Sequence, residues 1–208
     1  MVRKIGILGG SFDPVHRGHI RLAEDALREA GLDCVLLIPA AVQPFKQDVK
    51  TASGSHRLNM LRIATENRNG LRVSDYEIRQ KGVSYTYLTM RAIQKLADEA
   101  CGEGEEARLH FITGTDAFLK IDTWMEGEEL LSSYSYIVGT RPGYRQDELE
   151  IYIEGIRKKY GTEVINLPGV QLNISSTEVR ERIRSGLETG SLLPEGVERY
   201  IKENELYI

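Results

Sequence analysis

The sequence is poor in the residues that mark several common classes of protein. Its 208 residues include only two cysteines, one tryptophan and four histidines. Cys34 lies in an apolar run and Cys101 beside a Gly/Glu loop, so the two isolated thiols form no disulfide framework. No apolar run reaches the length of a membrane span, and no leader pattern precedes Val2-Arg3-Lys4-Ile5. Together these absences lead us to expect a reducing cytoplasm. Basic residues are outnumbered, 27 against 31 acidic ones, for a formal charge of −4. That balance argues against general binding to nucleic acid or a membrane surface, so anionic ligands would need locally placed His, Lys and Arg. No G-x-G-x-x-G follows the first apolar run, which weighs against a dinucleotide-dependent dehydrogenase. No H-E-x-x-H occurs either, which weighs against a zinc hydrolase.

What is present begins at Ile5-Gly6-Ile7-Leu8-Gly9-Gly10-Ser11-Phe12-Asp13-Pro14-Val15-His16-Arg17-Gly18-His19-Ile20. Ile5, Ile7 and Leu8 form a short apolar run closed by two glycines, which reads as a buried strand ending in a tight turn. Leu22, Ala23, Ala26, Leu27 and Ala30 then recur at helical spacing. A strand, a loop and a helix start in succession form the geometry in which free N–H groups and the helix dipole collect an anion. His16 and His19, three apart at that helix start, can point to one side. Imidazoles titrate near neutrality and donate hydrogen bonds, so the pair can bind a phosphate and stabilise charge growing on it. Zinc binding by the H-x-x-H pair and a purely structural pair remain open alternatives.

The rest of the chain alternates strand with helix. The continuous apolar run at Asp33–Pro39 reads as a strand buried on both faces, and Leu109-His110-Phe111-Ile112 as a further strand. A helix is expected at about Ser55–Glu66 with Ser53 or Ser55 as its cap, and a strand over Leu71–Ile78. Further on, a helix follows Gly82-Val83-Ser84-Tyr85-Thr86 and a short one follows Gly114-Thr115-Asp116. Strands are expected at Tyr136–Gly139 and Glu163–Leu167, with helices near 176–185 and 194–204. The pattern predicts an α/β, Rossmann-like, doubly wound parallel sheet flanked by helices. Residues 1–208 form one domain in this reading, with the C-terminal helical part from about 175 packed on it. The motifs at Gly9, Pro39, Gly114 and Arg141 all follow strands and would share the carboxyl edge where such sheets bind ligands.

A second constellation is Leu172-Asn173-Ile174-Ser175-Ser176-Thr177-Glu178-Val179-Arg180. Ser175 with Glu178 is a capping box, and Val179, Ile183 and Leu187 make a core-facing stripe. Arg180 lies one turn inside a helix whose serines and free N–H groups already suit phosphate oxygens.

G-x-F-D-P-x-H-x-G-H after the first strand, paired with I-S-S-T-x-x-R, resembles the signatures of the nucleotidyltransferases related to class I aminoacyl-tRNA synthetases. Within that group the chain is similar to bacterial nicotinate mononucleotide adenylyltransferases. The resemblance covers nearly the whole chain, and it implies transfer of the adenylyl group of ATP, as its magnesium complex, to nicotinate mononucleotide. Pyrophosphate would leave in a direct in-line attack. It also implies that His16, His19, Lys46 and Arg180 act on the phosphates. Gly9, Gly10, Ser11, Phe12, Gly114, Asp116, Arg141, Ile174, Ser175 and Ser176 would complete the ATP site. The acceptor would meet Ser84, Tyr85, Thr86, Asp116 and Trp124, with backbone groups at the S-Y-T helix start receiving its carboxylate and Trp124 stacking on its ring. Read alone, Ser84 is an ordinary N-cap, Trp124 a core residue, Asp116 a helix cap and Arg141 a solvated turn arginine. Mg²⁺ would be held by ATP phosphates and water rather than by a protein cage. Two departures stand out. Phe45 replaces the family's usual histidine in Gln43-Pro44-Phe45-Lys46, and Ser11 replaces the commoner threonine. Phosphopantetheine adenylyltransferases share both signatures but lack S-Y-T and G-x-D with the following Trp, which weighs against that activity. Preference for the nicotinamide acceptor is a closer competitor, and a non-catalytic nucleotide sensor is another. A tRNA-synthetase fragment would want a basic surface and a K-M-S-K-S loop, whereas this acidic chain has Ile174-Ser175-Ser176-Thr177. The oligomeric state, a homo-oligomer included, is left open.

Overall fold

A computed structural model describes residues 1–44, 51–140, 144–169 and 172–208. The first apolar run becomes β1 (Val2–Gly10), followed by α1 (Arg17–Glu29) and β2 (Cys34–Pro39). Next come α2 (Gly54–Thr65), β3 (Leu71–Val73), α3 (Tyr76–Gln80) and α4 (Thr86–Ala100). β4 (Glu106–Gly114) leads into α5 (Thr115–Phe118), a 3-10 turn at Ile121–Thr123, and α6 (Gly127–Ser133). The remaining elements are β5 (Ser135–Gly139), α7 (Gln146–Tyr160), β6 (Val164–Leu167), α8 (Ser176–Arg184) and α9 (Val197–Glu203).

The six strands form one parallel sheet in the order β3-β2-β1-β4-β5-β6. Strand order reverses between β1 and β4, the switch point outside which open α/β sheets hold ligands. Alternation along β1 sends neighbouring side chains to opposite faces. Leu8 joins Ala23 and Ala26 of α1, Met60 and Leu61 of α2, Val179 of α8 and Val197 and Ile201 of α9. Ile7 joins Met90 and Ile93 of α4 and Leu149 and Ile153 of α7 on the other face. Gly6 lies between these layers where no side chain fits. A Cβ there would meet Ile112 and Leu32 methyls at 2.8 Å. Among the described residues no helix is long and apolar enough to cross a membrane.

Two local expectations are corrected. The strand expected over Leu71–Ile78 stops at Val73, and residues 76–80 form α3 instead. Among the described residues β3 is an edge strand with a single neighbour, β2. Its last tie is the Ser74 N–H to Leu37 O bond of 3.0 Å, and the Tyr76 N–H then turns to the Ser74 hydroxyl. In α8, Val179 is fully buried and Ile183 partly so, but Leu187 is 59% exposed. The helix ends at Arg184, and Gly186, with a φ of +66°, leads the chain off the expected stripe.

Candidate active site

β1 delivers the chain to the carboxyl edge, and the loop from Ser11 to His16 carries it into α1. His16 is the extended N-cap, and two short bonds bind it to His19. The His19 N–H donates to His16 O at 3.0 Å, and the His16 N–H donates to His19 Nδ1 at 3.2 Å. The rings stack with centroids 3.6 Å apart and planes 25° apart. Phe12, buried with a φ of +48°, sets its ring edge-on to His19 at 4.9 Å. Gly18 lets the stack form, because a Cβ there would meet His16 Nδ1 at 3.0 Å. Burial lowers the His16 pKa to about 4, and burial with the neighbouring His16 lowers that of His19 well below the ordinary value. The pair therefore does not titrate near neutrality, contrary to the sequence-based expectation. Both rings are neutral at pH 7, and because His19 Nδ1 accepts a hydrogen bond, its N–H is at Nε2.

The second signature docks directly on the first. The Ser176 hydroxyl donates to Pro14 O at 3.0 Å, and Arg180 Nη1 donates to Asp13 O at 2.7 Å. Ser175 caps α8 by accepting from the Glu178 N–H at 3.1 Å. The Glu178 carboxylate pairs with Arg182 at 3.2 Å, so only half of the expected capping box is made. A hollow of about 430 Å³ opens between the two signatures, lined by Ser11, His16, His19, Ile174, Ser175, Ser176 and Arg180.

A second hollow, of about 550 Å³, lies beside it and shares Ala40 and Gln43 as wall. Gly9, Gly10, Ser84, Tyr85, Thr86 and Trp124 line this one. Ser84 is not the cap of α4. Its hydroxyl accepts from the Ala41 N–H at 2.9 Å, which ties the helix start to the end of β2, and Tyr85 occupies the cap position. Trp124 is half-buried and meets Phe111 edge-on at 6.1 Å. Glu77 closes the back of the hollow. It accepts from the Thr89 hydroxyl at 2.6 Å, and burial pushes its carboxyl pKa up. Asp116, beside the α5 cap Gly114, lines neither hollow. It is exposed and accepts from Tyr144 Oη at 3.0 Å and Arg145 Nη1 at 3.1 Å. Lys46, Phe45 and Arg141 lie outside the described residues. Among the described residues no group of three or more His, Cys, Asp or Glu is placed to hold a metal ion.

The sequence pattern of the cytidylyltransferase-like family matches residues 7–182. A probable nicotinate-nucleotide adenylyltransferase of Thermoanaerobacter sp. (strain X514) is 39% identical over 204 residues, which is 98% of this chain and 94% of that protein. The chain belongs to the nicotinate-nucleotide adenylyltransferase family. A second probable member, from Clostridium botulinum (strain Eklund 17B / Type B), is 36% identical and covers 99% of this chain and 98% of its own. The fold of the family recurs in the solved Plasmodium falciparum nicotinic acid mononucleotide adenylyltransferase complexed with NaAD. That structure has a TM-score of 0.77 at 23% identity and covers 99% of this chain and 97% of its own.

In this member of the family, one residue of the site escapes sequence reasoning. Arg57 of α2 is 3% exposed, yet lines the first hollow. Its guanidinium donates to Ser11 O (2.9 Å), Ala40 O (2.6 Å) and Ala52 O (3.0 Å), pulling the ends of β1 and β2 together. A signal was available. Arg57, Leu61 and Ala64 are spaced i, i+4, i+7, so a charge stood on the apolar stripe of an amphipathic helix.

Proposed function

We propose that the chain transfers the adenylyl group of Mg-ATP to nicotinate mononucleotide, giving nicotinate adenine dinucleotide and pyrophosphate, with no covalent intermediate. One observation carries the reading. The two signatures converge on one hollow and are hydrogen-bonded to each other, while the start of α4 and Trp124 line its neighbour. The first hollow takes the triphosphate and the second the pyridine nucleotide, so the acceptor phosphate meets the α-phosphorus near the wall at Ala40 and Gln43.

The acceptor phosphate is already anionic at pH 7, so the site needs no general base, and positioning with charge stabilisation carries the rate. His16 and His19 serve as neutral donors rather than as cations. Incoming phosphate oxygens draw their N–H groups, and charge growing on the oxygen that leaves α-phosphorus strengthens those bonds. Arg180 and Lys46 neutralise the β- and γ-phosphates. Free N–H groups at the start of α4 favour the acceptor's carboxylate over a neutral amide. Asp116, exposed and beside Gly114, is assigned to ribose, and Arg141 to the adenosine side. Magnesium enters with the nucleotide as part of the substrate and supplies charge neutralisation on the phosphates. The reading takes residues 1–208 as one nucleotidyltransferase unit, a view supported by the packing of Val179, Val197 and Ile201 in the core beside β1. A cytoplasmic setting belongs to the same reading and is supported by the free thiols of Cys34 and Cys101.

The test is pyrophosphate release from Mg-ATP with nicotinate mononucleotide, nicotinamide mononucleotide or phosphopantetheine offered separately. Strong preference for the nicotinate acceptor is expected. Equal use of the amide would remove the carboxylate role of Ser84, Tyr85 and Thr86. Binding of ATP with no release for any acceptor would make the chain a nucleotide sensor.

A further inference from the structure

Asp13 is a buried carboxylate in the middle of the first signature, 2% exposed. Its Oδ1 accepts from the Tyr207 hydroxyl at 2.7 Å and from the Ala52 N–H at 3.0 Å. Its Oδ2 is equally buried, has no hydrogen-bond partner among the described residues, and lies 3.8 Å from Arg180 Nη1. The same Arg180 nitrogen donates to the main-chain oxygen of Asp13 at 2.7 Å. Tyr207 therefore holds one end of the residue whose other end anchors the phosphate-facing arginine.

The chain turns sharply to bring Tyr207 inward. After α9, Glu205 and Tyr207 take left-handed φ values of +50° and +68°, which bulky residues rarely adopt unless their surroundings impose them. Leu206 and the Tyr207 ring then pack against the core beside α1, α8 and α9. Burial and the Asp13 carboxylate both keep the phenol proton in place, so the hydroxyl acts as a donor.

We infer that Tyr207 is a positioning residue of the triphosphate hollow: by holding Asp13 Oδ1 it keeps Oδ2 in a long ion pair with Arg180, 3.8 Å away, rather than a direct hydrogen bond, and leaves the guanidinium N–H groups available to the nucleotide. This rests on the function proposed above. A buried carboxylate deprived of a donor seeks another, and the nearest cation is Arg180. Closing that 3.8 Å ion pair to a direct hydrogen bond would engage the guanidinium N–H groups the phosphates need and pull on the loop that runs to His16.

The experiment uses the full chain and Tyr207→Phe, which keeps the ring and removes only the hydroxyl. Calorimetric titration with Mg-ATP in the absence of acceptor measures binding. Initial rates of pyrophosphate release, with each substrate varied in turn, give the two KM values. The Kd and KM for Mg-ATP should rise about tenfold, the scale of one hydrogen bond to a charged group. The KM for the acceptor should stay within about twofold of the original value. In an Asp13→Asn background the same substitution should have little further effect on ATP affinity, because the two residues act as one unit. An unchanged Kd for Mg-ATP would overturn the inference. So would a fall in kcat with both KM values unchanged, which mere loss of folded protein produces. If the parent chain binds Mg-ATP but releases no pyrophosphate, the proposed function fails while the Kd comparison still decides the role of Tyr207.

Discussion

His16 and His19 lie ring against ring at 3.6 Å, with the backbone N–H of one bonded to Nδ1 of the other. At that separation two imidazolium charges repel strongly, and burial already disfavours the first. In the proposed function the stack offers His19 as a neutral N–H donor at Nε2 to the hollow that Arg180 also lines, with Arg180 supplying charge. His19→Ala should lower kcat by about a hundredfold, the usual scale for losing one donor to developing charge. The fold should stay intact, with the thermal midpoint lowered by a few degrees, roughly 5 °C, because the His16 N–H loses its acceptor at the start of α1. Near-normal turnover of this variant would remove His19 from the phosphate site.

The depressed His16 pKa makes stability depend on pH. In the unfolded chain His16 binds a proton below about 6.5, whereas in the folded chain it resists until about 4. The unfolded state therefore binds more protons through this window, and stability falls as pH falls from about 6.5 to about 4. The full contribution is on the order of 3 kcal/mol, present above about pH 6.5. Urea unfolding at pH 7 and pH 5 reads part of that loss, to which the likewise depressed His19 adds, and His16→Gln is expected to reduce the difference. Equal slopes with pH in the two proteins would show that His16 is not the group responsible.

Arg57 donates to the carbonyls of Ser11, Ala40 and Ala52 at 2.6 to 3.0 Å, and these are polar groups that water does not reach easily. Arg57→Met keeps much of the volume and orphans those acceptors while removing one of the cations whose field reaches the buried Asp13 carboxylate. We expect a loss of about 3 to 5 kcal/mol in unfolding free energy, the range for removing one partner from a buried charged network. A denaturation midpoint within experimental error of the parent would show that the carbonyls find other donors.

Much of this arrangement was legible from residue spacing, and the part that was not has a physical reason. The continuous apolar run at β2 fits an interior parallel strand, and strand-then-helix order placed Gly9, Pro39 and Gly114 on one edge. The edge strand β3 was overrun to Ile78 because alternation persists into α3, where the same residues satisfy a helix. The titration of His16 and His19 was misread because burial is a tertiary property that spacing does not report. Tyr207 and Asp13 are distant in sequence and meet only through the reversal after α9. Ser84 looked like a cap because local spacing favours one, whereas its hydroxyl is taken by Ala41 from another strand end. The pairing of Asp116 with Tyr144 and Arg145 joins the start of α5 to residues just before α7, which local spacing does not report.

The two hollows meet at Ala40 and Gln43, so a change deep in one should leave affinity in the other intact. Trp124 lies on the acceptor side. It follows the 3-10 turn at Ile121–Thr123, touches Phe111 edge-on and stays half-buried, which leaves part of its ring for a flat ligand. An aromatic pair adds about 0.5 to 1.5 kcal/mol beyond area burial. Trp124→Ala should therefore raise the KM for nicotinate mononucleotide about fivefold to tenfold, with the KM for Mg-ATP unchanged. If the ring binds ground state and transition state alike, kcat stays level. Trp124→Phe, which restores a ring, should recover most of the affinity, and initial rates on the three proteins decide the matter. If the alanine variant loses thermal stability while its acceptor KM holds steady, Trp124 is a core residue and the pyridine ring is recognised elsewhere in the hollow.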